Sequence, residues 1–344
     1  MIRPILWCLT ATFLIPNAYV CAQTSDPPTR DIPYELVRND PSHSGLFGLT
    51  LSPAIAECYF LNFNVRGGVG AFYTYKSKFG ISIDYQQAYV DDLLGHRKNT
   101  PFGTDSYGIP ADYKKACLMN VQTKLTLFSW EGMGNYRLNL KKGSYLGERR
   151  GDPVGLARGM VLRAVTLRLG GQIDDRIVES TNSGIAFVNS TPNPSYQATN
   201  LATSGTMLHS GIITAGLAYS VFKDIKINLK DPGYQGRREE KQQNDLFVDI
   251  LYAQSLKLGD MVYYYAQYGS GGQHVPQRLD LSQTPLNRVG WRLGYQSVQM
   301  HHPHFGAKIN IEMGMRPGPQ TVDSQEQFYI QAGFGLIFGD RIAG

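Results

Sequence analysis

The C-terminal segment from Gln327 to Phe338 constrains the fold more than any other part of the sequence. Every second residue from Phe328 to Phe338 is apolar, and the intervening positions carry mostly Tyr, Gln and Gly. Side chains alternate between the two faces of a β-strand, so this strand has one apolar and one polar face. A closed barrel with lipid outside and water inside is built from such strands. The segment therefore predicts an all-β, antiparallel transmembrane β-barrel.

The same two-residue period recurs along the chain and predicts about twelve strands. Clear examples are Val121–Leu127, Ile213–Val221, Val289–Tyr295 and Phe305–Met315. The predicted strands are one within 45–63 and then 65–75, 79–89, 118–128, 160–172, 209–222, 225–230, 245–254, 261–268, 288–298, 305–316 and 327–338. Residues 129–159 fit poorly, and an extra hairpin there gives the alternative of fourteen strands. Bacterial transmembrane barrels have even strand numbers, which agrees with both counts.

Connection lengths then predict which side of a membrane each loop occupies. Barrels of the bacterial outer membrane have short periplasmic turns and longer extracellular loops. Counting back from the last strand, we predict extracellular loops at 90–117, 174–208, 231–244, 269–287 and 317–326. The same count predicts short periplasmic turns at Lys76–Lys78, Lys223–Asp224, 255–260 and 299–304.

The N-terminus has the pattern of a secretory signal peptide over residues 1–22. Arg3 is followed by the short apolar run Ile5–Leu14, and Ala22 precedes a polar start at Gln23. Lipidation of Cys21 is the alternative to cleavage after Ala22. The predicted organisation is then a periplasmic segment at 23–44, the barrel at 45–338 and a short tail at 339–344.

Composition agrees with a barrel and argues against membrane-spanning helices. No later apolar run approaches the roughly 18 residues of a membrane helix, and the mean hydropathy is −0.26. A barrel tolerates this value because its inward-facing residues are polar. The 37 Gly and 21 Tyr suit curved sheets with aromatic borders. The net charge of +5 is modest and scattered, so a nucleic-acid surface is not indicated.

Basic residues in the polar register are the main candidates for function. The candidate lumen-facing residues are Lys124, Arg168, Lys226, Arg288, Arg292, Lys308 and Arg316, opposed by Asp84, Asp249 and Glu312. A positive lining favours anions in a water-filled pore. The alternative is that the bases pair with acids and fill the barrel, as side chains often do in small barrels.

Other polar clusters carry weaker hypotheses, and no catalytic, cofactor or metal site is predicted. His301, His302 and His304 resemble metal ligands, but a polar turn is the simpler interpretation. His209 and Ser210 are adjacent on a strand and face opposite sides, so they do not form a nucleophile–base pair. Arg66–Gly70 lacks the strand-then-helix context of a phosphate loop. Cys58 and Cys117 fall at one predicted rim, where a disulfide and two separate thiols are the alternatives.

The chain resembles the outer-membrane β-barrel proteins of Gram-negative bacteria, of the type found in Bacteroidetes. The resemblance is carried by the signal ending at Ala22-Gln23, by the strand–turn–strand pattern of Val221–Ile225, and by the terminal strand. It implies location in the cell outer membrane, contact with outer-membrane lipid and lipopolysaccharide, and insertion by the barrel-assembly machinery.

Three functions are compatible with this architecture. The first is a porin-like or solute-transport channel with a mildly basic lumen and an anionic small solute. The second is a non-conducting binding or scaffold barrel whose extracellular loops engage a protein partner or a surface glycan. The third is an outer-membrane lipid hydrolase. A barrel alone does not decide between them.

Overall fold

The computed structural model describes twelve stretches of the chain. They are residues 29–30, 33–59, 63–91, 116–139, 154–180, 204–230, 236–258, 261–266, 274–279, 286–302, 304–319 and 327–343. The predicted signal peptide and most of the predicted extracellular loops lie outside these residues. Within them, no helix is long and apolar enough to cross a membrane.

The described elements are strands and one short 3₁₀ turn, η1, at Pro41–His43. The strands are β1 Thr29–Arg30, β2 Tyr34–Asn39, β3 Ser44–Tyr59, β4 Phe63–Tyr75, β5 Phe79–Asp91, β6 Cys117–Asn139, β7 Val154–Ser180, β8 Ser204–Leu229, β9 Gly236–Leu258, β10 Met261–Ala266, β11 His274–Leu279, β12 Leu286–Asn287, β13 Val289–His302, β14 Phe305–Met315, β15 Gly318–Pro319 and β16 Phe328–Ala343.

Ten of these strands close into an antiparallel barrel. Their order is β7-β6-β5-β4-β3-β16-β14-β13-β9-β8, and β8 pairs with β7 to complete the ring. The first and last barrel strands meet along their full length, from Tyr59 opposite Tyr329 to Ser44 opposite Ala343. The prediction of an all-β, closed antiparallel barrel is confirmed, but the count of twelve strands is wrong.

One strand of the overcount comes from a turn predicted at Lys223–Asp224. Both residues lie within β8, where they pair with Gln242 and Lys241 of β9. The charges that suggested a turn are tolerated because Asp224 faces inward and binds Arg38, with 2.9 Å between Nη2 and Oδ1. The strand–turn–strand pattern at Val221–Ile225 is therefore one continuous strand.

The other excess strand is 261–268, which lies outside the ring. Met261–Ala266 pairs with His274–Leu279 in a separate two-stranded sheet. Each error reverses the predicted side of the connections that precede it in the chain. The two errors together therefore leave the remaining connections at their predicted ends of the barrel. The predictions at 231–244 and 255–260 are wrong, because β9 runs from Gly236 to Leu258.

Residues 129–159 belong to a long hairpin rather than to extra strands. β6 and β7 stay paired from Cys117 opposite Asp175 to Asn139 opposite Val154. The alternative of fourteen strands is therefore also wrong. Residues 140–153, which join the two strands, lie outside the described part of the chain.

The two ends of the barrel differ, and we name them by their connections. The loop end carries the connections 92–115 and 181–203, and the turn end carries Lys76–Lys78 and the β13–β14 connection. The predicted tight turn at Lys76–Lys78 is confirmed by a 2.9 Å bond from Lys78 N to Tyr75 O. Lys76 and Ser77 adopt φ values of 48° and 51° there, which tight hairpin turns require.

At the turn end the sheet divides between β7 and β8, and the N-terminal segment packs into this gap. Beyond Val161, opposite Lys223, β7 and β8 separate, and β2 pairs with β8 instead. Two backbone amides of β7 in this region donate to side chains of the N-terminal segment. Met160 N donates to Asn39 Oδ1 at 2.8 Å, and Arg158 N donates to Tyr34 OH at 3.0 Å. A buried apolar cluster fills the fork: Tyr136, Ala157, Val161, Ile225, Ile227 and Leu229.

The η1 turn carries the chain from this seam across the turn end into β3. Asp40 fixes the turn by accepting hydrogen bonds from the Ser42 hydroxyl at 2.6 Å and the His43 amide at 3.3 Å. The Ser42 hydroxyl is the main reason that the pKa of Asp40 lies below its ordinary value. Pro41 is buried, and its carbonyl accepts from Ser77 Oγ at 2.7 Å.

The outer wall of the barrel is apolar, and the interior is polar. Exposed outward side chains include Leu49, Leu51, Ile81, Ile83, Leu125, Leu127, Ile213, Leu217, Leu246, Val248, Ile250, Val289, Leu293 and Ile309. Aromatic residues border this band: Tyr75, Phe79, Phe128, Trp130, Tyr219, Tyr295 and Phe338 toward the turn end, and Tyr85, Tyr89, Tyr252 and Trp291 toward the loop end. Charged side chains such as Arg168 and Asp249 are instead buried inside.

Candidate functional site

The charged interior of the barrel is the candidate functional site. Alternation along each strand directs Lys124, Arg168, Arg292 and Lys308 inward, and Arg316 follows the end of β14. The other two sequence-derived candidates lie elsewhere. Lys226 pairs with Glu239 near the fork at the turn end. Arg288 is exposed just before β13, where its Nη1 donates to Gln254 O at 3.4 Å.

Asp249 on β9 organises the middle of the lumen. Its two carboxylate oxygens accept from Arg168 Nε at 3.0 Å and Arg292 Nε at 2.8 Å. Both guanidinium groups also reach Gln122 Oε1, at 3.4 and 3.1 Å. Phe247 lies beneath them, with its ring centroid 3.9 Å from Arg168 Cζ. A carboxylate shared by two arginines and an aromatic face holds both cations in fixed positions.

Three more ion pairs complete this central layer. Lys124 Nζ lies 2.5 Å from Asp245, and Lys308 Nζ lies 3.0 Å from Asp84. Arg292 Nη1 lies 3.9 Å from Glu312. We define the central layer as Lys124, Arg168, Arg292, Lys308, Asp84, Asp245, Asp249, Glu312 and Gln122. Its four basic groups are matched by four acidic groups.

A small polar cavity of about 70 Å³ borders the central layer. Since one buried water needs about 10–15 Å³, the cavity has room for about five waters. Three polar atoms on its wall lack a hydrogen-bond partner among the described residues: Arg168 Nη1, Asn120 Oδ1 and Gln86 Oε1. These atoms suit water, because a buried polar group without a partner is costly.

A second set of ion pairs, the upper layer, crosses the lumen toward the loop end. It consists of Glu57, Arg66, Asp174, Arg176 and Arg316, all between 0 and 2% exposed. Glu57 binds Arg66 at 2.8 Å and also Arg316. Asp174 binds Arg176 at 3.1 Å and Arg316 at 3.4 Å.

Polar and aromatic neighbours lock the upper layer in place. Asn64 donates to Glu57 at 3.1 Å, and Arg176 donates to Gln327 at 2.9 Å and to the Pro317 carbonyl at 2.6 Å. The Tyr329 ring lies 4.1 Å from Arg316 Cζ. These contacts come from five strands or their ends, so the layer bridges the lumen from wall to wall.

Sequence reasoning missed most of the upper layer. Asp174 and Arg176 were assigned to an extracellular loop, whereas β7 continues to Ser180. Glu57 was missed because a bulge between Ser52 and Ile55 reverses which residues of β3 face inward. The sequence does contain one signal for this continuation. Apolar Ile173 lies in the apolar register of the strand predicted at 160–172, and Asp174 and Arg176 lie in its polar register.

Apolar side chains fill the turn end of the barrel, and the N-terminal segment crosses it. Leu46, Val298, Met300 and Ile337 form a buried cluster inside the barrel. Beside it, Lys241 donates to the Gly45 carbonyl and lies 3.9 Å from Asp224.

The paired interior carries little net charge. The basic groups of the two layers and of the Lys241–Asp224 contact are Arg66, Lys124, Arg168, Arg176, Lys241, Arg292, Lys308 and Arg316, and the acidic groups are Glu57, Asp84, Asp174, Asp224, Asp245, Asp249 and Glu312. Eight positive charges against seven leave an excess of one. The lining is thus close to the alternative interpretation of the sequence, in which bases pair with acids.

The remaining candidates do not assemble into a reactive site. His209 is exposed and contacts Asp175 at 3.0 Å, while Ser210 is buried and donates to the Asp174 carbonyl. His304 lies 3.8 Å from Asp340, and the described residues contain no group of three metal-binding side chains. Arg66–Gly70 lies within strand β4. Cys58 and Cys117 lie near the loop end on strands separated by β4 and β5, and their disulfide stays a prediction.

Comparisons with known proteins find weak structural likenesses but no family. No protein-family model and no curated protein matches the chain. Among solved structures, a deltaS2S3 mutant of the TodX monoaromatic hydrocarbon channel is 8% identical, with 87% of this chain and 91% of that chain covered and a TM-score of 0.21. An anion-selective porin from Comamonas acidovorans is also 8% identical, with coverages of 86% and 98% and a TM-score of 0.16. At these TM-scores neither likeness bears on function.

Proposed function

We propose that this protein is an outer-membrane β-barrel with a closed lumen, and that it acts by binding a partner or surface glycan at its loop end. The apolar outer wall supports insertion into lipid, because its leucine, isoleucine and valine side chains are exposed between two aromatic borders. Transmembrane barrels have this band and these girdles. The same wall on a soluble protein would be an unusually large exposed apolar surface.

Burial of side chains at two levels of the lumen is the observation that supports the non-conducting role. Arg316 and Glu57 lie in a fully buried ion-pair layer at one end, and Met300 and Ile337 lie in a buried apolar cluster at the other. With ten strands, the barrel is close to the size that side chains fill. The two long connections 92–115 and 181–203 both leave from the loop end, where a binding surface is expected.

Solute flux through refolded full-length protein in phospholipid vesicles tests this proposal. Flotation with the vesicles after a urea wash would first establish insertion. We then expect no osmotic swelling in small sugars or in salts of small anions, in contrast to vesicles that contain a general porin. Swelling at a rate comparable to the porin control would contradict a closed lumen.

A gated channel for a small polar solute is the second candidate, and the central cavity favours it. The wall of the cavity presents donors and acceptors at Arg168, Asn120 and Gln86 that have no partner in the described part of the chain. In that case, closure by side chains would be reversible under an applied voltage. Reproducible stepwise currents from the wild-type protein in planar bilayers would support the channel, and silence across the accessible voltages would exclude it.

A further inference from the structure

A cluster of aromatic and basic side chains lies on the outer wall of β6, β7 and β8 at its turn-end border. Trp130 is paired with Arg163 across β6 and β7. On the other side, Arg163 is paired with Val221, which places Tyr219 and Lys223 at its two diagonal positions. Diagonal neighbours on one face of a sheet are within reach of long side chains. The Trp130 and Tyr219 rings meet over β7, with centroids 6.1 Å apart.

The two cationic groups both extend away from the apolar band. The Arg163 guanidinium lies over Gly132, where a Cβ atom would be 2.5 Å from its Nη1. Lys223 Nζ lies 5.6 Å from the centroid of Tyr136, which is further still toward the turn end. A side chain at position 132 would displace the guanidinium from this position. Long basic side chains at a membrane border take this orientation to keep their charge near water and headgroups.

Neither cation has an acidic partner in the part of the chain that the structure describes. Across the described residues, no acidic side chain forms an ion pair with Arg163 or Lys223, whereas the buried bases of the interior are paired. Two adjacent unpaired cations attract an anion strongly. The order along the wall is apolar band, aromatic pair and then cations, which matches the order of acyl chain, ester region and phosphate in a glycerophospholipid.

We propose that Arg163 and Lys223 bind the phosphate of an anionic glycerophospholipid, with its acyl chain against Trp130 and Tyr219. A net negative lipid, such as one with a glycerol headgroup, is favoured over a zwitterionic lipid because the site carries two positive charges. This inference rests on the proposed location of the barrel in a membrane.

Tryptophan quenching by brominated lipid tests the site in the bilayer itself. Trp7, Trp130 and Trp291 are the tryptophans of the chain. A Trp7→Phe/Trp291→Phe variant reports on Trp130, and a Trp7→Phe/Trp130→Phe variant reports on Trp291 as the matched control. Each is reconstituted in phosphatidylethanolamine vesicles that contain a small fraction of acyl-brominated phosphatidylglycerol.

We expect quenching of Trp130 to exceed the value that the bulk fraction of brominated lipid explains. Quenching of Trp291 should be in proportion to that bulk fraction. Adding Arg163→Gln and Lys223→Gln should weaken the affinity of the site for brominated phosphatidylglycerol by about tenfold or more, because both charge-assisted contacts are lost. Lys76→Gln/Lys78→Gln, which removes two charges elsewhere on the same rim, should leave the excess unchanged.

The outcomes separate the two proposals. Bulk-proportional quenching of both tryptophans would overturn the lipid site while supporting insertion. An excess that survives Arg163→Gln/Lys223→Gln would also overturn it. If brominated lipid quenches neither tryptophan, the chain does not lie in the bilayer, and the proposed membrane location fails together with the site.

Discussion

The upper and central layers of the lumen are both built from ion pairs, but they differ in access to water. The five upper residues are almost completely buried, and each pair is further fixed by amide or carbonyl groups. The central layer instead borders a cavity of about 70 Å³, and Lys308 and Asp84 retain exposed fractions of 13% and 22%. In the proposed closed lumen, the upper layer is the barrier and the central layer is a hydrated polar core.

The largest expected effect comes from breaking the upper layer at Glu57. Glu57→Ala removes the carboxylate that Arg66 and Arg316 share, and both guanidinium groups are buried. Loss of one partner from a buried ion pair costs about 3–5 kcal/mol. Urea unfolding of the protein in vesicles, followed by tryptophan fluorescence, measures the loss.

Glu35→Ala is the matched control for Glu57→Ala. Its pair with Lys230 is 3.2 Å long and more than half exposed on both sides, so removal should change the unfolding free energy by less than about 1 kcal/mol. Equal effects of the two substitutions would contradict the structural role of the upper layer.

A smaller effect is expected in the central layer at Asp249. Asp249→Ala deprives Arg168 and Arg292 of their shared acceptor, but cavity water is available to solvate the freed guanidinium groups. We expect a loss of about 2 kcal/mol, the scale for leaving a charged group poorly satisfied. The same urea titration decides the comparison, and a loss larger than that of Glu57→Ala would reverse the assignment of barrier and hydrated core.

The partly exposed pair beside the cavity should matter least within the lumen. Lys308→Met removes a cation whose contact with Asp84 is open to water. Because solvent screens such pairs, the expected cost is about 0–1 kcal/mol. A loss of the size expected for Glu57→Ala would indicate that this side of the cavity is dry.

A local effect on stability is expected at the seam between β7 and β8, which lies outside both layers. Asn39→Ala removes the acceptor for the Met160 amide, and we expect a cost of about 1 kcal/mol. Hydrogen exchange should accelerate at Met160 and leave Thr166 in the paired part of β7 unchanged. Equal acceleration at both amides would show that Asn39 stabilises the barrel as a whole.

The sequence predicts the barrel because alternation is a local property, but the contents of the lumen depend on distant residues. Arg316 and Glu57 are 259 positions apart, and Arg292 and Gln122 are 170 apart. Alternation could place Arg168 and Arg292 on an inward face, yet it could not identify Asp249 as their shared partner. It also could not show that the bulge at Ser52–Ile55 turns Glu57 inward.

The strand count failed for a related reason. Lys223 and Asp224 look like a turn because strands rarely carry two adjacent charges, but one of them faces inward to Arg38. At Met261–Ala266 the residues do form a strand, as predicted, yet the pairing with His274–Leu279 takes it out of the ring. Local pattern specifies a strand, and tertiary pairing specifies its sheet.

Thiol accessibility at Gln86 tests the closed lumen most directly. Gln86 lines the central cavity, so Gln86→Cys in a background with all four native cysteines replaced by Ser (Cys8, Cys21, Cys58 and Cys117) places one reporter between the two closures. In vesicles, a water-soluble maleimide should label it at least about a hundredfold more slowly than Lys78→Cys at the exposed turn, as expected when labelling requires an opening of about 2.7 kcal/mol. Labelling of both cysteines at the same rate would show an open lumen and contradict the proposed barrier.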